Sequence, residues 1–372
     1  MARRLPTLPD RDGEALLEVL LGDRERSRSA WRRWRSGRPD LAIDPASERL
    51  LPMLYRRLAE LDLDPGRLGP RLAGAYRASF SRNQLLQLEA SAMARTLAGA
   101  GIPAMLIKGG AMQWTVYEDR GMRPMADIDM LIPPERAAEA CSILEGSEWR
   151  SAAEDLAPLL AGGYHAQFSR RGGLVVELHW YSRSQSGSDH GLWERAGEIE
   201  IGEVSTPVPS RADQLLASCV HAVEWAPSHR LLWVVDGSRL IGAEQGVDWD
   251  QLLESAIEGR VSSYMEPTLG YLRERWRMPV PGRVISQLGR AHRPRHELIG
   301  LRAATSRTGP LTACRAAWDR SRRLAALDRS GLPPPSYLQV LRSLWGPRSW
   351  SEMVADAFRS LGRRLGVGGN PS

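Results

Sequence analysis

"LIKGGAMQWTVYEDRGMRPMADIDMLI" spans Leu106 to Ile132, and the rest of the chain is best read outward from it. Two short apolar runs, "IPAMLI" (102–107) and "ADIDMLI" (126–132), read as strands. Gly109 and Gly110 make a turn after the first, and "AMQWTVY" can start a helix. Asp127 and Asp129 lie inside the second run. Strand side chains alternate, so both aspartates face one side, roughly 6.6 Å apart along the strand. Two carboxylates there repel each other and lose hydration. A divalent cation between them removes both costs. Mg²⁺ (or Mn²⁺) suits carboxylate oxygen, and Mg²⁺ often completes its shell with water and substrate phosphate. The competing explanation is a strand-end pair caged by arginines or helix N-termini.

Three other Asp-x-Asp pairs, Asp10/Asp12, Asp62/Asp64 and Asp248/Asp250, sit in polar or helix-end contexts that solvated surface charge explains. Glu177 in "LVVELHW" is a third acid flanked by apolar residues. If its strand lies beside 127–132, three carboxylates can hold two metals about 3.5–4 Å apart, as in-line phosphoryl or nucleotidyl transfer needs. Gly109 and Gly110 lack Cβ atoms, so backbone N–H groups at a helix start can approach a phosphate. A tight structural turn explains the pair equally well, and neither a Walker loop nor a G-x-G-x-x-G fingerprint is present.

Lys108 is the only lysine among fifty basic residues. A compact ammonium beside a tight turn can meet a phosphate oxygen as a point charge, where the planar guanidinium fork fits poorly. Survival of one lysine by chance is the alternative.

The 372 residues carry a net charge of +6 and 42% apolar content. That length suits two or three packed units with a sizeable core. The basic balance favours anionic ligands, but the arginines are spread along the chain, so nucleic acid is not the expected partner. Cys141, Cys219 and Cys314 are far apart and odd in number, which gives no disulfide framework or zinc spacing. A reducing, cytoplasmic setting follows, with no signal peptide read at the N-terminus and no run near ~18 uninterrupted apolar residues.

The expected fold is α+β: a small mixed-sheet core at 101–208, between an N-terminal helical region (1–100) and a C-terminal helical region (209–372) with a frayed tail. "YHAQFSR" and "LVVELHW" around "RGG", and "EIEIGEVSTPVPS", read as hairpins. "YLQVLRSLWG" and "WSEMVADAFRSLGRRLG" read as late amphipathic helices.

"LIKGG", "RPMADIDMLI" and "VELHW" together resemble the bacterial uncharacterised nucleotidyltransferase family within the polymerase-beta-type superfamily. "LLASCVHAVEW" and "LLWVVDGSRL" resemble that family's helical segments, and the likeness covers about 85–240. Two features depart from the superfamily's usual pattern. The Gly-Gly to Asp-x-Asp gap is long, residues 111–126, and the third acid is Glu177 where the closer family often has aspartate.

The resemblance implies that Asp127, Asp129 and Glu177 are catalytic metal ligands. It implies that Lys108, Gly109, Gly110 and Arg123 bind a nucleoside triphosphate such as ATP. A nucleoside monophosphate would pass to an acceptor hydroxyl or similar group on a small molecule, sugar, peptide or protein, with natural-product or peptide tailoring as the setting. His179, His221 and Asp236 are candidates for the acceptor pocket, against plain core roles for each. Two other classes stay open: a non-catalytic nucleotide-binding or assembly module, and a basic nucleic-acid-binding protein prompted by "RSAWRRWRSGRP". In that run Trp31 and Trp34 are spaced for a helix face packed on the body.

Overall fold

The structure, a computed structural model, describes residues 8–36, 42–170, 173–183, 189–224 and 231–293, and a few positions between 297 and 340. The strands are β1 (Met105–Ile107), β2 (Ile128–Leu131), β3 (Trp149–Ser151), β4 (His165–Arg170) and β5 (Val176–His179). They form one sheet in the order β1-β2-β5-β4-β3. β2 pairs with β5 in parallel and with β1 antiparallel, and the β4 pairings to β5 and β3 are antiparallel. The sheet is therefore mixed, and the fold is α+β. β2 lies inside the sheet and all four of its residues are buried, which is why it reads as a nearly unbroken apolar run. β6 (Gly197–Ile201) and β7 (Val204–Val208) make a separate hairpin.

Two expectations need correction. Asp127 precedes β2 and only Asp129 lies within it, so the aspartates do not share one strand ladder. Gly109 and Gly110 do not form a turn ahead of a helix. They lie in the first turn of helix Lys108–Thr115, which follows β1 directly. A Cβ on Gly110 would come within 2.7 Å of Leu106 and 3.1 Å of Ile128, so this glycine lets the helix seat on the sheet. β3 was not expected. It is three residues long with one buried side chain, Trp149, too little for an alternation signal.

The helices before and after the sheet share one apolar core. Leu16 and Leu17 of helix Arg11–Leu21 and Leu54 of Leu51–Glu60 join Leu215, Leu232 and Leu269 from the chain's second half. Trp31 and Trp34 are buried there, their rings 5.7 Å apart, as the helix-face reading expects. Helix Gly69–Ala98 links this core to the sheet's: Leu72 belongs to the first and Leu86, Met93 and Leu97 to the second. Asp10 and Asp248 prove to be helix N-caps, and Asp250 pairs with Arg283. Among the described residues no helix is long and apolar enough to cross a membrane. The two late helices, apart from 337–340, and the tail lie outside the described residues, as does Cys314.

Candidate active site

The β2–β5 register sets Asp129 directly beside Glu177. His179, two residues on, shares Glu177's face of the strand. Ligating atoms of Asp129, Glu177 and His179 all lie within 4.8 Å of one another. His179 Nε2 is 2.9 Å from Asp129 Oδ1 and 3.3 Å from Glu177 Oε2. Carboxylate oxygens only accept, so these distances assign the hydrogen to Nε2. His179 is fully buried and ties the two acids together. Gln167 on β4 donates to Glu177 Oε1 at 2.8 Å. The His165 ring stacks on His179, 5.0 Å between centroids. Burial, then the neighbouring His179, pushes the His165 ring down to about 4.

Lys108 Nζ lies 2.5 Å from Asp129 Oδ1. Burial opposes the ammonium's charge, but Asp129 outweighs it and the lysine pKa rises. Burial likewise opposes the Asp129 carboxylate, yet Lys108 and His179 hold its pKa well below the usual range. Asp127 lies outside this tight group. Burial, reinforced by Asp129 and Glu177, pushes its carboxyl up to about 6. The two aspartates are thus electrostatic opposites, one neutralised and the other not.

Arg123 and Asp236 meet through a forked, buried pair: Nε to Oδ1 and Nη2 to Oδ2, each 3.0 Å. The Tyr117 hydroxyl donates to Asp236 Oδ1 at 2.6 Å. Asp236 lies within helix Leu232–Gly242 and joins that helix to the segment before β2. A Cβ on Gly109 would run into the Arg123 guanidinium, so this glycine makes room for the pair.

These groups surround one cavity of about 340 Å³. Lys108, Gly109, Arg123, Asp127, Asp129, Glu177, His221 and Asp236 line it; Gly110 and His179 do not. His221 enters from helix Arg211–Glu224 and is half-buried. The sequence reading did not single out Tyr164, His165, Gln167 and Arg49, which also line it. The first three lie on or next to β4, the partner strand of Glu177, and could have been found by writing out the hairpin register. Arg49 comes from the N-terminal helices and has no local signal among so many arginines.

No curated protein matches the chain. Two solved structures are similar in part. An antibiotic-resistance factor, ANT(2'')-Ia, shares 17% identity and covers 50% of this chain and 97% of its own, with a TM-score of 0.33. An antigenic nucleotidyltransferase-like protein from Paracoccidioides brasiliensis shares 14% identity, covering 60% and 98%, with a TM-score of 0.36. The model of a family described as uncharacterised nucleotidyltransferase matches residues 45–277. That stretch is more than half of the chain and holds every residue of the cavity, so the protein belongs to the uncharacterised nucleotidyltransferase family.

Proposed function

We propose that the protein is a metal-dependent nucleotidyltransferase that moves a nucleoside monophosphate from a triphosphate to an acceptor hydroxyl. The observation that carries this reading is the parallel β2–β5 register, which sets Asp129 and Glu177 side by side in the wall of a cavity. The donor set fits a hard divalent cation, Mg²⁺ or Mn²⁺. Asp129 is already neutralised by a cation, the Lys108 ammonium, and Asp127 is an acid without enough compensating charge. Asp127, Asp129 and Glu177 would hold the metal, which when bound supplies charge neutralisation at the transferring phosphate. His179, whose Nε2 lies within reach of both Asp129 and Glu177, orients these two acids in the metal-free protein.

The chain's own groups divide the remaining work. Lys108, which pairs with Asp129 in the metal-free protein, would serve the phosphates as a point charge. Gly109 and Gly110, in the first turn of a helix, bring backbone N–H groups and the positive helix end toward them. Arg123 adds positive potential, held at a fixed position by Asp236. The acceptor oxygen bonds to the α-phosphorus, the bond to the β-phosphate oxygen breaks, and pyrophosphate leaves. The acceptor's proton passes toward Glu177, which Gln167 and His179 orient. The helices at 211–240 contribute Ser218, His221 and Trp233 to the cavity lining, where the acceptor would lie.

The test is to incubate the protein with each α-labelled triphosphate, Mg²⁺ or Mn²⁺, and a cell extract or a panel of hydroxyl-bearing acceptors. Label on an acceptor with release of pyrophosphate is expected. Nucleotide binding with no transfer across the panel would instead favour a binding module.

A further inference from the structure

Three cationic side chains other than histidine line the cavity: Lys108, Arg123 and Arg49. Lys108 is bound to Asp129 and Arg123 to Asp236. Arg49 has no ion pair or side-chain hydrogen bond among the described residues, and its buried Nε has no partner. Leaving such a donor unmet in a folded protein is costly, which points to a group absent from the protein itself.

The segment bearing Arg49 is built to hold still. Arg49 ends the short helix Pro45–Glu48. The Asp44 side chain caps that helix by accepting from Ala46 and Ser47 N–H, and its other oxygen takes the Ser47 hydroxyl at 2.5 Å. Ser47 and Leu50, on either side, are fully buried. The backbone is therefore fixed, and the side chain reaches inward from it. Burial and the like charge of Arg123 lower the Arg49 pKa, with the Asp236 and Asp127 carboxylates opposing; a second cation so near is tolerated more easily once a further anion joins them.

We propose that Arg49 is an anion-binding residue of this cavity, supplied by the N-terminal helices, and that it grips phosphoryl oxygens of the bound triphosphate. The assignment rests on the nucleotidyl-transfer reading for the identity of the anion. A triphosphate keeps net negative charge even with one divalent cation bound. The guanidinium fork matches phosphate oxygens in pairs. The role also explains why helices outside the sheet core lie against the cavity: they deliver a charge that the core strands do not carry.

The experiment measures equilibrium binding of two probes to the full chain with Mg²⁺: inorganic tripolyphosphate and α,β-methylene ATP, which resists transfer. Arg49→Ala should weaken both by about tenfold or more, the scale of one charge-assisted contact. Adenosine binding should be unchanged. Arg49→Lys, which keeps the charge and much of the stem, serves if the alanine variant folds poorly, and should also bind both probes more weakly than wild type. Variants that bind both probes as tightly as wild type overturn the Arg49 assignment and leave the transfer reading standing. Wild type that binds tripolyphosphate through Arg49 but never transfers label removes the transfer reading and keeps the anion site. Wild type that binds neither probe overturns both.

Discussion

The Lys108 ammonium lies 2.5 Å from the Asp129 carboxylate, on a residue whose backbone is left-handed, with φ at 51°. Left-handed backbone is uncommon for a residue with a Cβ. Here it turns the chain from β1 straight into a helix and lays the side chain across β2. The pair explains how a buried aspartate stays charged without metal.

Lys108→Ala leaves that aspartate without its principal partner. Breaking a buried pair by removing one member costs about 3–5 kcal/mol, and the low end applies because the Lys108 side chain is 26% exposed. Urea unfolding in EDTA should show this loss, and saturating Mg²⁺ or Mn²⁺ should recover most of it. Lys108→Arg should keep the stability better than alanine and still lose most transfer. A fully active arginine variant would count against the point-charge role.

Asp127→Asn and Asp129→Asn should differ in sign. Asp127 has a folded pKa of about 6 against 3.8 for the free group. Its protonated form therefore favours the fold, and that contribution is lost as pH rises through 6. In EDTA at pH 7.5, Asp127→Asn should gain on the order of 1–2 kcal/mol, and at pH 4 almost nothing. Asp129→Asn should lose stability at pH 7.5, because it removes the negative charge that the Lys108 ammonium faces. Both should abolish transfer. Equal stability effects from the two substitutions would contradict the opposed electrostatics.

Asp236→Asn should harm the fold before it harms chemistry. It leaves the Arg123 guanidinium buried and uncompensated, at a cost of about 3–5 kcal/mol. The Arg123→Met/Asp236→Leu double variant should recover much of the loss, giving a large coupling in a double-mutant cycle. His221→Ala, from a half-buried wall position, should leave stability within about 1 kcal/mol and reduce transfer more than triphosphate binding. Unchanged transfer in His221→Ala would assign that residue to packing.

Gly110→Ala should cost about 1–3 kcal/mol through overpacking against Leu106 and Ile128. Gly109→Ala should displace Arg123 and weaken binding of a non-transferable triphosphate. Melting curves and binding isotherms on the same preparations separate the two effects; equal behaviour in both assays would not fit the different surroundings of these glycines.

Local patterns made much of the sheet legible. Apolar runs of β1 and β2, and alternation around Glu177, predicted strands that the structure contains, and the Asp129–Glu177 pairing followed once the strands were set side by side. What stayed hidden depended on distance along the chain. Arg123 finds Asp236 113 positions later, and Lys108 finds Asp129 across a strand pair; neither leaves a trace in local periodicity. The error over Asp127 and the glycines came from boundaries, where one residue decides whether a side chain belongs to a strand, a loop or a helix turn.

The shared core of the outer helices has a consequence for synthesis. Glu14 is bound by Tyr271 and Arg275, the latter 261 positions later. At about 5–20 residues per second, Leu16 and Leu17 leave the ribosome roughly ten to fifty seconds before their last partners do. The sheet's strands all emerge within that wait, so the middle of the chain can close while helix Arg11–Leu21 has only its early neighbours, among them helices Arg24–Ser36 and Leu51–Glu60, to pack on. Part of the apolar face of that helix therefore stays uncovered until the second half of the chain is made, and a chain cut short before Leu215 lacks the residues that cover it.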